Sequence, residues 1–154
     1  MNRDNFAALV VEYTDRMYRI ARTILRNDED CRDAMQEAAL RAWEKRYSLR
    51  EEKYFGTWLI RILINECRKL YRRNPLPADP LPESLKAPEE SSSVIEALMN
   101  LPEKHRIALE LHCIEGYSVR EIARMLRLPE GTVKWRLSRA RALMQQELGE
   151  EACK

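Results

Sequence analysis

The sequence predicts an all-α protein made of two small helical domains joined by a flexible, Pro-rich acidic linker. Apolar residues recur at the three- and four-residue spacing of amphipathic helices in several long segments. Five of the seven prolines fall between residues 74 and 92, and the last third of the chain has the pattern of two short helices separated by a turn. We therefore place the domains at residues 1–73 and 93–154, with the linker at residues 74–92.

The overall composition is that of an ordinary globular chain. Its 154 residues are 45% hydrophobic and 34% charged, with a formal net charge of +2, and suffice for one medium domain or two small ones. No apolar run approaches the ~18 residues that span a membrane, and no N-terminal signal segment is evident, so we expect a cytoplasmic protein. The four cysteines form no C-x-x-C pair and there are only two histidines, so neither a metal site nor a cofactor is expected.

The first helix is predicted over residues 5–26. Its apolar face consists of Phe6, Leu9, Val10, Tyr13, Met17, Ile20, Ala21 and Ile24. Residues 27–30 then supply a capping side chain and negative charge for the start of a second helix. That helix has a small-residue face made of Ala34, Met35, Ala38 and Ala42. Leu40 and Trp43 lie elsewhere on it and need either burial or a partner.

A loop without a clear period, residues 47–53, leads into a third helix. Its inward face is predicted to hold Phe55, Trp58, Leu59, Ile62, Leu63 and Leu70. Its polar, largely basic flank holds Arg61, Asn65, Arg68, Lys69, Arg72 and Arg73. Such a flank beside aromatic residues suits single-stranded nucleic acid, because bases stack on rings while cations follow the backbone. The simpler alternative, with the aromatic residues in the core and the arginines solvated, stays open at this point.

Besides its prolines, the linker contains four acidic residues: Asp79, Glu83, Glu89 and Glu90. Fully extended, its 19 residues span at most ~60 Å, or about 18 base pairs, so the two domains can occupy separate DNA sites. Beyond it, a short helix starts near Val94 and stops at Pro102. A further helix is ended by Gly116, a residue suited to the left-handed conformation past a helix end.

Residues 118–141 predict a helix-turn-helix. Ser118 and Glu121 are spaced for reciprocal capping of the first of these helices, and Pro129 suits the start of the second. The segment carries seven basic and two acidic residues, a net charge of +5 that leaves −3 on the rest of the chain. Positive charge concentrated on one helical hairpin is typical of DNA binding. The alternative is an ordinary helical pair with a solvated basic face.

Three stretches resemble the extracytoplasmic-function (ECF) group of bacterial RNA polymerase sigma factors. They are DAMQEAALRAWEKR (33–46), FGTWLIRILINECRKLYRR (55–73) and LPEKHRIALELHCIEGYSVREIARMLRLPEGTVKWRLSRAR (101–141). The resemblance implies a transcription initiation factor that binds core RNA polymerase and promoter DNA. Its first domain, sigma domain 2, would dock on the polymerase and recognise and melt the −10 element. Its second, sigma domain 4, would read the −35 element through the helix-turn-helix.

The resemblance also implies roles for individual residues. The polymerase-binding set would be Gln36, Glu37, Leu40, Arg41 and Trp43. The −10 DNA-binding set would be Arg61, Asn65, Arg68, Lys69 and Arg72. The −35 DNA-binding set would be Thr132, Lys134, Trp135, Arg136, Ser138, Arg139 and Arg141, with Arg136 and Arg141 nearer phosphates. An anti-sigma factor, often membrane-bound, is a further implied partner, whereas no small-molecule substrate is implied.

Two residues depart from the commoner pattern of that family. Arg127 occupies a turn position where Gly or Asn is frequent, and a positive φ there costs on the order of 1 kcal/mol. Trp135 stands where a small residue is frequent, so its ring must pack on the groove wall or fold against the helix.

Two other classes of function account for less of the chain. A stand-alone helix-turn-helix regulator explains only the C-terminal third. An enzyme is not expected, because the sequence has no Gly-rich phosphate loop, no H-E-x-x-H motif and no nucleophile elbow.

Overall fold

The computed structural model describes residues 1–73 and 89–149, the side chains of residues 89–93 excepted. Within these ranges the regular structure is all helical, which confirms the predicted class. The helices are α1 (Arg3–Leu25), α2 (Asp28–Glu44), α3 (Phe55–Arg73), α4 (Glu89–Asn100), α5 (Glu103–Leu109), α6 (Val119–Leu126) and α7 (Glu130–Leu148). Contacts within the chain divide it after residue 79 into two compact units. Across the described helices, none combines the length and the apolar character needed to cross a membrane.

The predicted linker at residues 74–92 lies outside the described residues as far as residue 88. Helix α4 begins at Glu89, so residues 89–92, which the sequence assigns to the linker, are helical. The five prolines of the segment, which a helix interior excludes, all precede this point.

Helices α1 and α2 are joined by one tight connection. Arg26 adopts a left-handed conformation with φ 65°, which ends α1. The next residue, Asn27, caps α2, since its side-chain oxygen accepts a hydrogen bond of 2.9 Å from the backbone N–H of Asp30. The Tyr18 hydroxyl, on α1, donates a 2.6 Å hydrogen bond to Asp28 in the first turn of α2. Local sequence therefore fixes where α2 starts and how it leaves α1.

The core of the first unit forms where α3 packs against both α1 and α2. The predicted small-residue face of α2 is buried at Ala34, Ala38 and Ala42, which lets α3 approach closely. On α3 the predicted inward residues divide into two groups. Phe55, Leu59 and Leu63 are buried, whereas Trp58, Ile62 and Leu70 are only half-buried. The residues missing from the predicted face are Ile60, Ile64 and Cys67, each fully buried. The predicted buried face of α3 was too narrow, because α3 packs against helices on two sides.

An aromatic cluster closes one end of this unit. The ring of Phe6 lies 5.2 Å from that of Trp43 and 5.9 Å from that of Phe55, both edge to face. Tyr13 approaches Phe55 at 6.0 Å. Only glycine fits at position 56, because a Cβ atom there would collide with the ring of Tyr13. The cluster thus ties the start of α3 to α1 and to the end of α2.

In the second unit, α7 packs against α4, α5 and α6. Its inward residues, Val133, Leu137, Ala140 and Met144, are all buried. Arg106 stabilises the turn between α4 and α5. Its buried guanidinium donates a 2.8 Å hydrogen bond to the carbonyl of Leu101 and a 3.3 Å hydrogen bond to that of Met99. One long helix, α7, therefore organises the unit.

Helix α5 continues as a π-helical segment, Glu110–Ile114. The wider turn leaves Cys113 exposed, whereas Cys31 and Cys67 are buried. The extra residue in the π-helical turn accounts for this exposure. Gly116 then turns the chain with φ 81°, as predicted from its place after the helix.

Candidate nucleic-acid and protein interfaces

Helix α2 presents an outward face made of Gln36, Glu37 and Leu40, which we call the docking face. Gln36 and Glu37 are exposed, and the apolar side chain of Leu40 is 55% exposed. The exposed leucine offers apolar surface that a partner protein could bury. This is the position for which the sequence predicts either burial or a partner, and within the described residues it is not buried.

Arg41 and Trp43 belong to the same predicted set but are engaged inside the first unit. Arg41 Nε lies 2.7 Å from Oε1 of Glu66 on α3, and 3.5 Å from Oε1 of Glu37. Trp43 is half-buried against Phe6. The structure therefore gives Arg41 a packing role that the sequence did not indicate, and it gives Trp43 partial burial, one of the two alternatives expected for it.

Glu66 was missed as a structural residue because it lies between the polar positions Asn65 and Arg68. Only 8% of its side chain is exposed. Besides Arg41, it has Lys69 Nζ at 3.3 Å from the same oxygen. The carboxylate of Glu66 thus connects the helix with the docking face to the helix with the basic flank.

The predicted −10 residues share one side of α3. Arg61, Asn65, Arg68 and Arg72 follow each other at spacings of four, three and four residues, so they lie on one face, which we call the basic face of α3. Asn65 and Arg72 are exposed, and Arg61 and Arg68 are half-buried. Lys69 is exposed on the adjoining side. The face can offer an amide and several cations to the same ligand.

The loop before α3 contains an aromatic and cationic stack. The guanidinium of Arg46 lies 3.7 Å from the ring centroid of Trp43 and 4.3 Å from that of Tyr47. It also donates hydrogen bonds to the Trp43 carbonyl at 2.7 Å and to the Tyr47 hydroxyl at 2.8 Å. Tyr47 is still 80% exposed. The one- and three-residue spacings of this triad are local, and could have been noticed in the sequence.

The helix-turn-helix has the predicted capping box. The Ser118 hydroxyl accepts a 3.1 Å hydrogen bond from the backbone N–H of Glu121, and the Glu121 carboxylate accepts a 3.0 Å hydrogen bond from the backbone N–H of Ser118. Arg127 ends α6 with φ 56° and ψ 51°. This is the left-handed conformation whose cost the sequence analysis considered for this residue. Pro129 occupies the position just before α7 and makes no side-chain capping hydrogen bond. Local signals alone therefore set both ends of the turn.

The predicted −35 residues are distributed around the outer half of α7. Lys134, Trp135, Ser138, Arg139 and Arg141 are exposed, and Thr132 and Arg136 are half-buried. Trp135, Ser138 and Arg139, at spacings of three and one, form the outward face directly opposite the buried stripe. Among the described residues, no atom outside the local helix backbone lies within 4 Å of a Cβ built at Gly131, so the start of α7 is open to close approach.

Trp135 packs against α5 instead of folding against its own helix, and packing on the groove wall stays a prediction. Its ring leans on His105 of α5, with centroids 5.7 Å apart and an interplanar angle of 54°, and 58% of it remains exposed. His105 itself is buried. No periodic signal marks it, because the contact joins two helices that are far apart in sequence.

Comparison with known proteins assigns families to both units. Residues 9–75 match the family described as Sigma-70 region 2, and residues 91–144 match Sigma-70, region 4. The chain is 36% identical to the ECF RNA polymerase sigma factor SigM of Mycobacterium tuberculosis, over 96% of this chain and 79% of that protein. It is 30% identical to the ECF RNA polymerase sigma factor SigW of Bacillus subtilis, over 96% of this chain and 90% of that protein. The solved structure of CnrH in complex with the cytosolic domain of CnrY has a TM-score of 0.77 and 28% identity, covering 98% of this chain and 92% of that one.

Proposed function

Because the chain belongs to the ECF group of RNA polymerase sigma factors, we propose that it binds core RNA polymerase and directs it to promoters as a non-enzymatic specificity subunit in the cytoplasm. Residues 1–73 would act as domain 2 and residues 93–154 as domain 4, joined by residues 74–92. The observation that carries this proposal is the presence, in one chain, of an exposed docking face, a basic face of α3 and a basic helix-turn-helix. A stand-alone helix-turn-helix regulator would use only the last of these.

Polymerase binding is assigned to the docking face, with Leu40 at its centre. Because Leu40 is already exposed, replacing it with Asp leaves the core of the first unit intact while placing a charge in the contact. Val11 on α1 is 72% exposed and provides a matched control in the same unit. We expect Leu40→Asp to abolish co-elution with core polymerase on gel filtration and Val11→Asp to retain it. Equal co-elution of both variants would remove the docking face from the proposal.

Recognition of the −10 element is assigned to the basic face of α3 and the loop before it. Asn65 is exposed and its amide offers both a donor and an acceptor, which suits the Watson–Crick edge of an unstacked base. The neighbouring arginines and Lys69 suit the phosphates of a single strand. Flipping one base costs a few kcal/mol, which a single amide does not offset, so the polymerase and the phosphate contacts contribute the remainder.

Permanganate footprinting on duplex and premelted templates tests this assignment. We expect Asn65→Ala, and a Gly-Ser replacement of residues 49–52, to leave polymerase binding intact but to lower thymine reactivity at the −10 element. Asn65→Asp is the matched variant, because it keeps the shape of the side chain and loses its donors. A premelted template should restore opening while a defect in base selection persists. Unchanged reactivity and base preference in all three variants would contradict the assignment.

Recognition of the −35 element is assigned to the outer half of α7 lying in the major groove. If Lys134 and Arg139 reach base edges, replacing either with Ala should cost about 1–3 kcal/mol and change base preference. Arg136 and Arg141, assigned to phosphates, should instead weaken binding uniformly and reduce the salt slope by about one each. Thr132, Trp135 and Ser138 complete the contact set. Identical base preferences in all four charge variants would contradict this division of roles.

We also propose a protein inhibitor, an anti-sigma factor, as a regulatory partner. CnrH, which is 28% identical to this chain, was solved in complex with the cytosolic domain of CnrY. A partner covering the docking face would compete with core polymerase. Adding a protein that co-purifies with the full chain should therefore release the chain from the polymerase, and simultaneous binding of both would contradict competition.

A further inference from the structure

Two aromatic side chains meet behind the outward face of α7. His105, on α5, is 4% exposed, and Trp135, on α7, is 58% exposed. Their ring centroids are 5.7 Å apart with an interplanar angle of 54°, within the range of favourable aromatic pairs. One ring is therefore fixed in the core of the second unit, and it supports a second ring that projects from the surface.

The surroundings of the supporting ring favour its neutral form. Burial, followed by the positive charge of Lys104, lowers the pKa of His105, and Arg136 and Arg139 act in the same direction. A hydrogen bond to the backbone of Arg136 opposes them in part. His105 Nδ1 has no hydrogen-bond partner among the described residues. Trp135 thus rests on an imidazole whose lowered pKa favours the neutral form, although the surrounding surface is strongly basic.

The supported ring stands at the middle of the outward face. Trp135, Ser138 and Arg139 are all exposed and lie together, opposite the buried stripe of α7. More than half of the large Trp135 side chain is thus exposed to water, which is unfavourable for its apolar surface. An apolar ring held in a fixed position among cations suits a ligand that is charged along its backbone and has an isolated apolar group.

We propose that Trp135 reads the C5-methyl group of a thymine in the −35 element, and that His105 is the positioning residue that holds the indole in place. This inference rests on the proposed placement of α7 in the major groove. The thymine methyl is the apolar group that base pairs display there, and apolar side chains discriminate by contacting it. The indole has a donor but no acceptor, so its recognition of a base edge depends mainly on shape and apolar contact.

Uracil substitution isolates this contact because it removes one methyl group and leaves base pairing unchanged. Holoenzyme reconstituted from core polymerase and the full chain would be titrated with promoter duplexes in which single −35 thymines are replaced with deoxyuridine. For wild type we expect one position at which uracil weakens binding about threefold to fivefold, the effect of one buried methyl group. Trp135→Ala should bind both duplexes equally at that position, with responses elsewhere unchanged.

Two variants test the supporting ring. His105→Leu removes the aromatic contact, and His105→Phe keeps it without the ring nitrogens. We expect the thymine-to-uracil affinity ratio to fall to about one in His105→Leu and to stay at its wild-type value in His105→Phe. A loss of folded protein lowers binding to both duplexes equally and leaves this ratio unchanged, so the ratio separates positioning from a general structural role.

The outcomes distinguish this inference from the proposal on which it rests. If base-pair changes in the −35 element weaken binding but no uracil substitution does, methyl reading is wrong and the placement of α7 stands. A uracil effect that persists in Trp135→Ala also overturns the inference. A ratio retained in His105→Leu removes the positioning role. If wild-type binding is insensitive to every −35 substitution, the placement of α7 and this inference are both wrong.

Discussion

Replacing Arg41 should destabilise the first unit, because its guanidinium compensates a buried carboxylate. Only 8% of the Glu66 side chain is exposed, and Arg41 Nε lies 2.7 Å from its Oε1. Removing one partner of a fully buried ion pair costs about 3–5 kcal/mol, whereas an exposed pair contributes about 0.2–1 kcal/mol. The Arg41 side chain is 38% exposed, and Lys69 remains 3.3 Å from Glu66, so an intermediate value applies. We expect Arg41→Ala to cost about 1–2 kcal/mol.

A double-mutant cycle apportions this energy. Glu66→Gln keeps the shape of the side chain and removes its charge, so the double variant Arg41→Ala/Glu66→Gln should be more stable than the sum of the single changes predicts. We expect a coupling of about 1 kcal/mol. Glu37→Gln is the matched control, because it removes a carboxylate 3.5 Å from the same guanidinium but at an exposed position. It should change stability by less than about 0.5 kcal/mol.

Urea unfolding followed by tryptophan fluorescence measures these values. The chain has three tryptophans, and in a Trp135→Phe background the remaining two, Trp43 and Trp58, both report on the first unit. Unfolding of Arg41→Ala at the same urea concentration as wild type would refute the structural role of Arg41. In that case, any loss of polymerase binding in the variant would point to a direct contact by the guanidinium.

Three further changes test other features of the fold. Arg127→Gly should stabilise the second unit by about 0.5–1 kcal/mol, since φ is 56° there and glycine adopts this conformation without strain; a lower midpoint of urea unfolding would contradict this. Gly56→Ala should cost about 1–3 kcal/mol, because the added methyl group meets the ring of Tyr13, and a wild-type midpoint would show that the ring moves aside freely. Burial and the hydrogen bond to Asp28 raise the pKa of Tyr18 from 10.0 to about 12, so the folded state favours the neutral phenol. The resulting stabilisation is complete below pH 10 and is lost as the pH rises through about 12, so Tyr18→Phe should be less stable at neutral pH and lose less stability over this interval. Parallel pH profiles of wild type and Tyr18→Phe would contradict that assignment.

The parts of the fold that the sequence predicted correctly are those fixed by neighbouring residues. Ser118 and Glu121 cap each other across three positions, and Asn27 caps α2 in the same way, so each motif carries its own geometry. Gly116 marks a turn because few other residues adopt positive φ without cost. These signals need no knowledge of the tertiary structure.

The parts that the sequence did not predict depend on contacts between helices. Glu66 resembles its exposed neighbours along the chain, and only the approach of α2 makes it a buried partner of Arg41. His105 has no periodic signature, because its contact with Trp135 joins α5 to α7. Ile60 and Ile64 lie off the predicted stripe and are buried because α3 has helices on two sides. In each case the missing information is which faces of two helices meet.

The central claim is that this chain gives core RNA polymerase a new promoter specificity. The most direct measurement is transcription in vitro of fragmented genomic DNA from the source organism by core polymerase with and without the full chain, followed by sequencing of RNA 5′ ends. We predict a set of starts that depends on the chain and shares two sequence motifs, near −10 and −35, and that disappears with Leu40→Asp. Identical starts with and without the chain, or new starts without shared motifs, would contradict the account.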